Sequence, residues 1–299
     1  YFSHLNRPKE ALVLMKEALA QAVADPGETS TEQLLYETVI LMNKLRVAPE
    51  EKIALMESHT FTRDDIQTEL AKAYNQACQP DKALETLLSH AFVPCEGGEH
   101  AIAEQYLFAY YVKGYQAYEE QDYEKALQLF RAGQELPQIL GAGIWNHCKL
   151  IPDRYGEALC LEALGEIGKA QEIFRYIADT PIDYFTNMHL KELPYYQALS
   201  LEHLGEPIEA RQVITRFLRE CEKIRNTKDN TYFGTTPFFI SFIDDPERMR
   251  EALYQYLWGL CAYCMGNREE AKRAIEYSAE LNNDNLYALG IARQLSMHI

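Results

Sequence analysis

Apolar residues recur at helical spacing along most of the chain, in segments that are separated by short polar turns. The most regular segment is 106–137, which predicts two antiparallel helices joined by a turn at 121–123. Gly114 falls on the first helix, and Ala126 and Phe130 fall on the second. Small residues let two helices approach closely, and a large residue one turn later fills the groove between them. The segment therefore matches one unit of a helix–turn–helix repeat.

A small residue followed four positions later by a large one recurs along the chain, as in tetratricopeptide repeats of roughly 34 residues. The small residues on the second helices are Ala11, Ala83, Ala126, Ala170, Ala210 and Ala271. The longest interval between these alanines, from Ala11 to Ala83, spans two units. Within it, 31–58 carries another helix pair with Pro49 at the start of its second helix. The sequence predicts an all-α, tetratricopeptide-like solenoid of six to seven helix pairs with long irregular loops between repeats.

A single repeat array is expected to occupy 1–299. Its units are predicted at 1–26 (partial), 31–58, 62–91, 100–137, 153–180, 192–226 and 247–282. The first unit begins at a turn and lacks a first helix. A solitary amphipathic helix would leave its apolar face uncovered, so we expect this chain to be a fragment of a larger protein.

Composition narrows the class of partner. The chain has 299 residues, 45 of them acidic and 29 basic, and a net charge of −16, which disfavours nucleic acids and anionic membranes as partners.

No apolar run approaches the roughly 20 residues that span a bilayer. Seven scattered cysteines form no framework, which favours reduced thiols and a cytoplasmic location. Cys261 and Cys264 form a CxxC inside a helical stretch, where we interpret them as small buried residues.

Motifs of common catalytic and cofactor sites are missing from the sequence. It contains no GxSxG, phosphate-binding loop, dinucleotide fingerprint or HExxH pattern, and its eight histidines are scattered. We therefore predict no catalytic residue, no metal site and no cofactor.

The connection at 92–99 does not follow the repeat pattern and contains Pro94, two adjacent glycines and two glutamates. Adjacent glycines allow positive φ and a close approach of the backbone to a ligand. Glu96 and Glu99 are therefore candidate ligands for a hydroxyl group or a cation. The alternative is structural, since Glu99 near a helix start favours the helix dipole and the glycines simply make the turn.

The connection at 139–152 is the second irregular loop. Trp145 and His147, with Asn146 between them, offer a stacking surface next to hydrogen-bonding groups, which suits a sugar face or a peptide side chain. The alternative places Trp145 under the loop as an apolar plug.

Aromatic residues supply a third set of candidates, for an interaction surface. Tyr232, Phe233 and Phe239 lie in the connection 231–245, where they either cap the core or form an exposed patch for another domain. Tyr110 and Tyr111 belong to a run of tyrosines at helical spacing on a first helix. Repeat arrays often bind extended peptides along a concave face lined by first helices, and some of these tyrosines are expected to line it.

The chain resembles the C-terminal repeat region of large bacterial proteins of unknown function that carry tetratricopeptide repeats. The resemblance spans nearly the whole chain and rests on 63–65, 74–76, 83–88, 92–99, 105–106, 140–143, 195–197 and the insertion 232–245. It implies an upstream β-sandwich part similar to sugar-mutarotase-like modules, and with it carbohydrate handling in a bacterium.

Three functions remain open from the sequence. The first is a non-catalytic binding or scaffold module whose partners are other domains of the parent protein, another protein or a second copy in a homo-oligomer. In the second, the loops complete a glycan-binding or glycan-active site. The third is a peptide-sensing repeat receptor.

Overall fold

The computed structural model describes residues 7–25, 30–94, 99–143, 147–183, 186, 190–227 and 245–297. Within these ranges the chain forms fourteen α-helices, two short 3-10 helices at Gln138–Leu140 and His147–Leu150, and no strand. Consecutive helices pack against each other along the chain. The predicted all-α helical-repeat solenoid is therefore confirmed.

Six complete helix pairs run from α2 to α13, preceded by the single helix α1 and followed by the single helix α14. The helices are α1 (Pro8–Ala24), α2 (Thr31–Lys44), α3 (Pro49–Glu57), α4 (Asp64–Gln76), α5 (Pro80–Leu88), α6 (Glu99–Glu119), α7 (Tyr123–Gly133), α8 (Ile151–Ala163), α9 (Ile167–Asp179), α10 (Leu193–His203), α11 (Pro207–Asn226), α12 (Pro246–Cys264), α13 (Arg268–Leu281) and α14 (Leu286–Met297). We call the even-numbered helices first helices and the odd-numbered helices second helices. Neighbouring first helices from α2 to α12 also contact each other.

All six turns inside the pairs have the same backbone conformation. Each contains one residue with φ between 55° and 81°: Arg46, Cys78, Gln121, Gly165, Gly205 and Gly266. The N–H of the next residue donates to the carbonyl five residues earlier, at 2.8–3.0 Å. This left-handed cap satisfies carbonyls at the end of the first helix. Only three of the six positions are glycine, so turn chemistry alone marks half of the pairs.

The small residue of each second helix is its fourth residue. Ala83, Ala126, Ala170, Ala210 and Ala271 are all at most 2% exposed, as the repeat pattern predicts. In α3 the equivalent position is Lys52, which is also buried. Its Nζ donates to Asn43 Oδ1 at 2.8 Å and to Gln76 Oε1. A buried lysine therefore explains the missing alanine in the longest interval of the pattern.

Phe130 on α7 is held between two glycines of the neighbouring first helices. A Cβ on Gly114 of α6 would lie 2.6 Å from its ring, and a Cβ on Gly156 of α8 would lie 2.4 Å from it. Phe130 is fully buried. The predicted close approach at Gly114 is confirmed, and Gly156 extends it to the next repeat.

Side chains of Ser30, Asp122 and Asp245 cap helices at their N-termini. Asp122, in the predicted turn at 121–123, caps α7 by accepting a hydrogen bond from the Lys125 N–H at 3.2 Å. Ser30 caps α2 by accepting from the Gln33 N–H, and Thr31 is the first residue of that helix.

The last helix, α14, brings the end of the array into contact with its beginning. It stacks on α13 and also contacts α4 and α6. Lys72 on α4 forms an ion pair with Asp284 at 2.7 Å, and Gln76 Nε2 donates to the Asn283 carbonyl at 2.8 Å. Arg46 Nη1 donates to the Glu280 carbonyl at 2.9 Å. The sequence pattern ends at 282, so α14 is an element that it did not predict.

Candidate binding groove on the first helices

Tyrosines from successive repeats line a cavity of about 420 Å³ on the first-helix side of the array. The tyrosines are Tyr115 and Tyr118 of α6, Tyr123 of α7, Tyr155 of α8, Tyr195 of α10 and Tyr263 of α12. Ile291, Gln294 and Leu295 of α14 form the opposite wall. The regular stacking of helix pairs therefore places these aromatic side chains in one groove.

A second cavity of about 710 Å³ lies on the other side of α14, between this helix, α6 and α13. Tyr115, Glu119 and Gln294 line both cavities, so the two spaces adjoin each other. We call them together the first-helix groove. The helix α14 lies within it and leaves space free on both sides.

Few charges line the 420 Å³ cavity. Among the described residues, the charged ones that line it are Glu119 and Arg268, and the Arg268 guanidinium lies 6.0 Å from the centroid of the Tyr263 ring. Burial raises the pKa of Tyr155 and Tyr195 well above the usual tyrosine value. Their hydroxyl groups therefore stay protonated at neutral pH and can donate hydrogen bonds to a bound carbonyl. Tyrosine supplies a large apolar face with a polar tip, which is why it is enriched at binding surfaces.

One repeat position holds a tyrosine in four successive repeats. Tyr111, Tyr155, Tyr195 and Tyr256 each lie fifteen residues before the alanine of the second helix, and all four are buried. We call them the tyrosine column. An alignment of the repeats to one another would have found this column, which reading the repeats one at a time missed. No comparable repeat pattern in the sequence marks Arg268 or the α14 residues that form the wall of the cavity.

A polar cleft of about 290 Å³ opens where the first helices begin. Glu104, Lys149, Lys191, Glu192 and Asn285 are among its lining residues. Burial raises the pKa of Glu192 to about 7. The Tyr256 hydroxyl donates to Glu192 Oε1 at 3.3 Å. The cleft thus combines carboxylates with ammonium groups and suits a small polar ligand.

The irregular connections leave and enter the array at this same edge, because each joins a second helix to the next first helix. Two of them touch: the Phe92 N–H donates to the Ile139 carbonyl at 2.9 Å. A Cβ on Gly141, which has φ of 56°, would lie 2.5 Å from the Phe92 carbonyl oxygen. Asp64 fixes the first connection, since its carboxylate contacts His90 Nε2 at 2.6 Å and the Val93 N–H at 2.8 Å.

The predicted loop residues are only partly described. Glu96, Trp145, Tyr232, Phe233 and Phe239 lie outside the described residues. The backbone of Glu99 opens α6, while its side chain also lies outside the described part. His147 is exposed at the start of a 3-10 helix at the edge that carries the connections. The ligand-binding assignments of Glu96, Glu99, Trp145 and His147 and the interaction-surface assignments of the three aromatic residues remain predictions.

The two predicted tyrosines of α6 occupy different surroundings. Tyr111 is 2% exposed, lines the 710 Å³ cavity and packs against Tyr287 of α14 with 5.1 Å between ring centroids. Tyr110 points to the other side of α6, where its ring meets that of Tyr106 at 4.9 Å and its Cβ lies against Gly133. Tyr111 therefore belongs to the groove, and Tyr110 packs between helices.

No protein-family model matches the chain. A solved structure that it resembles is a tetratricopeptide repeat protein from Parabacteroides merdae ATCC 43184, with 20% sequence identity and a TM-score of 0.45. The similarity covers 97% of this chain and 93% of that chain. The repeat architecture given above follows from the helices and turns of this chain itself.

The described helices and cysteines bear on membrane insertion and on the state of the thiols. None of the helices described is both long and apolar enough to cross a bilayer. Six of the seven cysteines lie in the described ranges, and these six are free thiols. Cys261 is fully buried in α12 and Cys264 is half-buried, in agreement with their interpretation as small packing residues.

Proposed function

We propose that this chain is a non-catalytic binding module that holds a segment of a protein partner in its first-helix groove. The observation that carries the proposal is the tyrosine lining of the groove, contributed by successive repeats. Aromatic side chains with hydroxyl donors bury apolar area and can satisfy the carbonyls of an extended chain. The near balance of charge in the 420 Å³ cavity, with Glu119 and Arg268, favours a segment of low net charge.

A peptide-display experiment tests this function. Random peptides would be selected on the wild-type protein and then measured by isothermal calorimetry against Tyr118→Ala and Tyr263→Ala. Both residues line the 420 Å³ cavity and are half-buried. We expect each substitution to weaken the selected peptides at least tenfold, because aromatic anchors carry most of the binding energy at such surfaces.

Tyr277→Ala is the matched control. Tyr277 is 45% exposed on the second helix α13 and lines neither groove cavity. It should leave peptide affinity unchanged. Equal affinity for wild type, Tyr118→Ala and Tyr263→Ala, with unchanged melting temperatures, would contradict the proposal.

The context of the parent protein is a further part of the proposal. We propose that the chain belongs to a bacterial protein with an upstream β-sandwich part and a role in carbohydrate handling, and that it works in the cytoplasm. The resemblance at 63–65, 92–99 and 140–143 supports this context, and the free thiols agree with a reducing compartment. Deletion of the module from the parent should then impair the assembly or stability of the upstream part.

We also propose, as a second function, that the polar cleft and the connections beside it bind a glycan. The contact between Phe92 and Ile139 supports it, because two of the irregular loops meet at the edge where the cleft opens. A glycan array would compare wild type with Glu96→Ala, Trp145→Ala and Glu104→Ala, with Glu269→Ala on α13 as the control. Glycan binding that is unchanged in the first three variants would exclude this second function.

A further inference from the structure

The helix α14 occupies the first-helix groove as a ligand would. Its Ala288, Ile291 and Leu295 join the apolar core formed with α12 and α13. Its other side faces α4 and α6, which belong to the second and third helix pairs. The segment is therefore held between the end of the array and its beginning.

Three residues of α14 at a spacing of three contact that second side, next to the apolar side chains of Leu286 and Leu289. The Tyr287 ring meets Phe108 and Tyr111 edge-on, with centroids 5.5 and 5.1 Å apart. A Cβ on Gly290 would lie 3.2 Å from Phe108 Cε2, so the helix approaches closely there. Arg293 Nη2 donates to the carbonyl of Gln76 at 2.8 Å, at the C-terminus of α4.

These contacts define a recognition surface on α4 and α6 for a helix that carries Tyr-x-x-Gly-x-x-Arg. The aromatic pocket selects the tyrosine, the close approach selects the glycine, and the helix C-terminus favours a cation. An arginine here also satisfies a carbonyl that has no partner within its own helix. Each position is thus selected by a separate physical interaction.

The fit of α14 on this surface leaves space unfilled. The 710 Å³ cavity runs alongside it and is lined on the α14 side by Gly290, Ala292, Arg293 and Ser296. Protein cores are packed to the density of organic crystals, whereas a preformed concave space of this size is typical of a ligand site. A helix with the same three contacts and a larger apolar residue in place of Ala292 would fill the cavity and bury more area than α14 does.

We propose that the surface formed by α4 and α6 binds an amphipathic helix of a partner protein that carries Tyr-x-x-Gly-x-x-Arg, and that α14 is its built-in competitor. This inference goes beyond the proposed function, because it adds a second binding surface, on α4 and α6, and a helical partner for that surface. The partner helix displaces α14 from α4 and α6, so that binding opens the contact between the two ends of the array.

A synthetic helical peptide with the sequence of residues 282–297 is the probe. Its affinity would be measured by fluorescence anisotropy for the full-length wild type and for the double variant Tyr287→Ala/Arg293→Ala, whose own α14 is weakened. We expect the double variant to bind the peptide at least tenfold more tightly than wild type. The control variant Arg273→Ala/Tyr277→Ala, on the exposed face of α13, should bind it like wild type.

Changes in the peptide test the surface itself. Replacement of Ala292 by leucine should raise affinity at least threefold, and replacement of Gly290 by leucine should abolish binding. Equal binding of the Gly290→Leu peptide, or equal affinity of wild type and a folded double variant, would overturn the proposal. A dimer that exchanges α14 between copies would also overturn it, because the occupant would then be a second copy of this chain.

Hydrogen exchange on the wild type gives an independent readout if the double variant fails to fold. Excess Ala292→Leu peptide should increase the exchange of α14 amides at least tenfold and leave α10 unchanged. Unaltered exchange in α14 at saturating peptide would overturn the proposal. The display experiment above uses Tyr118 and Tyr263, which line the 420 Å³ cavity and not the 710 Å³ cavity, so that either result can fail without the other.

Discussion

Lys72 on α4 and Asp284 in the turn before α14 form an ion pair of 2.7 Å that joins the second repeat to the end of the array. Burial by itself would raise the pKa of Asp284, but the Lys72 ammonium outweighs it and lowers that pKa below its usual value. The Lys72 side chain is 15% exposed, and that of Asp284 is 42% exposed. The closure of the array therefore depends in part on an ion pair that is open to solvent on one side.

A double-mutant cycle measures how much this ion pair contributes to the free energy of unfolding. We expect Lys72→Ala and Asp284→Ala to show a coupling of at most about 1 kcal/mol in the free energy of unfolding, because solvent screens such pairs. The lowered pKa of Asp284 gives stability that is present above about pH 4 and is lost as pH falls through the lowered value. Chemical denaturation between pH 2 and 7 checks both, and a wild-type profile identical to that of Asp284→Ala would contradict the pH prediction.

Gly156→Ala should destabilise the protein by about 1–3 kcal/mol. The added Cβ would lie 2.4 Å from the buried Phe130 ring, and an overpacked core forces neighbouring side chains to move. Gly168→Ala on α9 is the matched control, because a Cβ there meets no atom within 4 Å. It should be neutral or stabilising by up to about 1 kcal/mol, since alanine is the better helix former. Urea denaturation of both variants tests the difference, and equal effects would contradict the packing explanation.

Glu192→Gln should change how stability depends on pH. Burial raises the pKa of Glu192 to about 7, above the ordinary value of about 4.3. The folded protein therefore binds a proton more tightly than the unfolded chain, and this contribution to stability is lost as pH rises from about 4 to above 7. The unfolding free energy of wild type should fall across this range by up to about 1 kcal/mol per pH unit relative to the variant. Parallel profiles of the two proteins would argue against a protonated Glu192.

Lys52→Met should change the pH dependence of stability with the opposite sign to Glu192→Gln. Burial, followed by repulsion from Lys72, lowers the pKa of Lys52 to about 8, below the ordinary value of about 10.4. The unfolded chain binds the proton more tightly, so wild-type stability should rise relative to the variant between about pH 8 and 10, by up to about 1 kcal/mol per pH unit. Denaturation at pH 7.5, 8.5 and 9.5 measures the slope. A relative slope of zero would show that Lys52 keeps its ordinary pKa when folded.

Helix type and pairing were predictable because they depend on local patterns. The alternation of apolar segments, the spacing of Ala126 from Phe130 and the small residue at Gly114 all act within one repeat. The alanine pattern failed at α3, where Lys52 takes the small position. A lysine there is stable only because Asn43 and Gln76 accept its hydrogen bonds, and Gln76 belongs to the next repeat.

The candidate groove was predictable only in part, since Tyr111 lines it and Tyr110 does not. Adjacent residues on a helix point about 100° apart, so the sequence run of tyrosines could not show which one faces the groove. The tyrosine column was present in the sequence, fifteen residues before each of four alanines. The stacking of repeats decides which cavity each of them reaches: Tyr155 and Tyr195 line the 420 Å³ cavity, Tyr111 the 710 Å³ cavity and Tyr256 the polar cleft.

The sequence by itself determined the helices α1 to α13 and their pairing, because each repeat buries its apolar face against a neighbour that is close in the chain. Only the tertiary structure decided that α14 lies in the groove and contacts α4 and α6. That position results from the accumulated rotation between successive repeats, which brings Lys72 to Asp284 and Gln76 to Arg293. Small rotations of this kind leave no local pattern in the sequence, so the shape of the groove and its occupant appear only when all the repeats are in place.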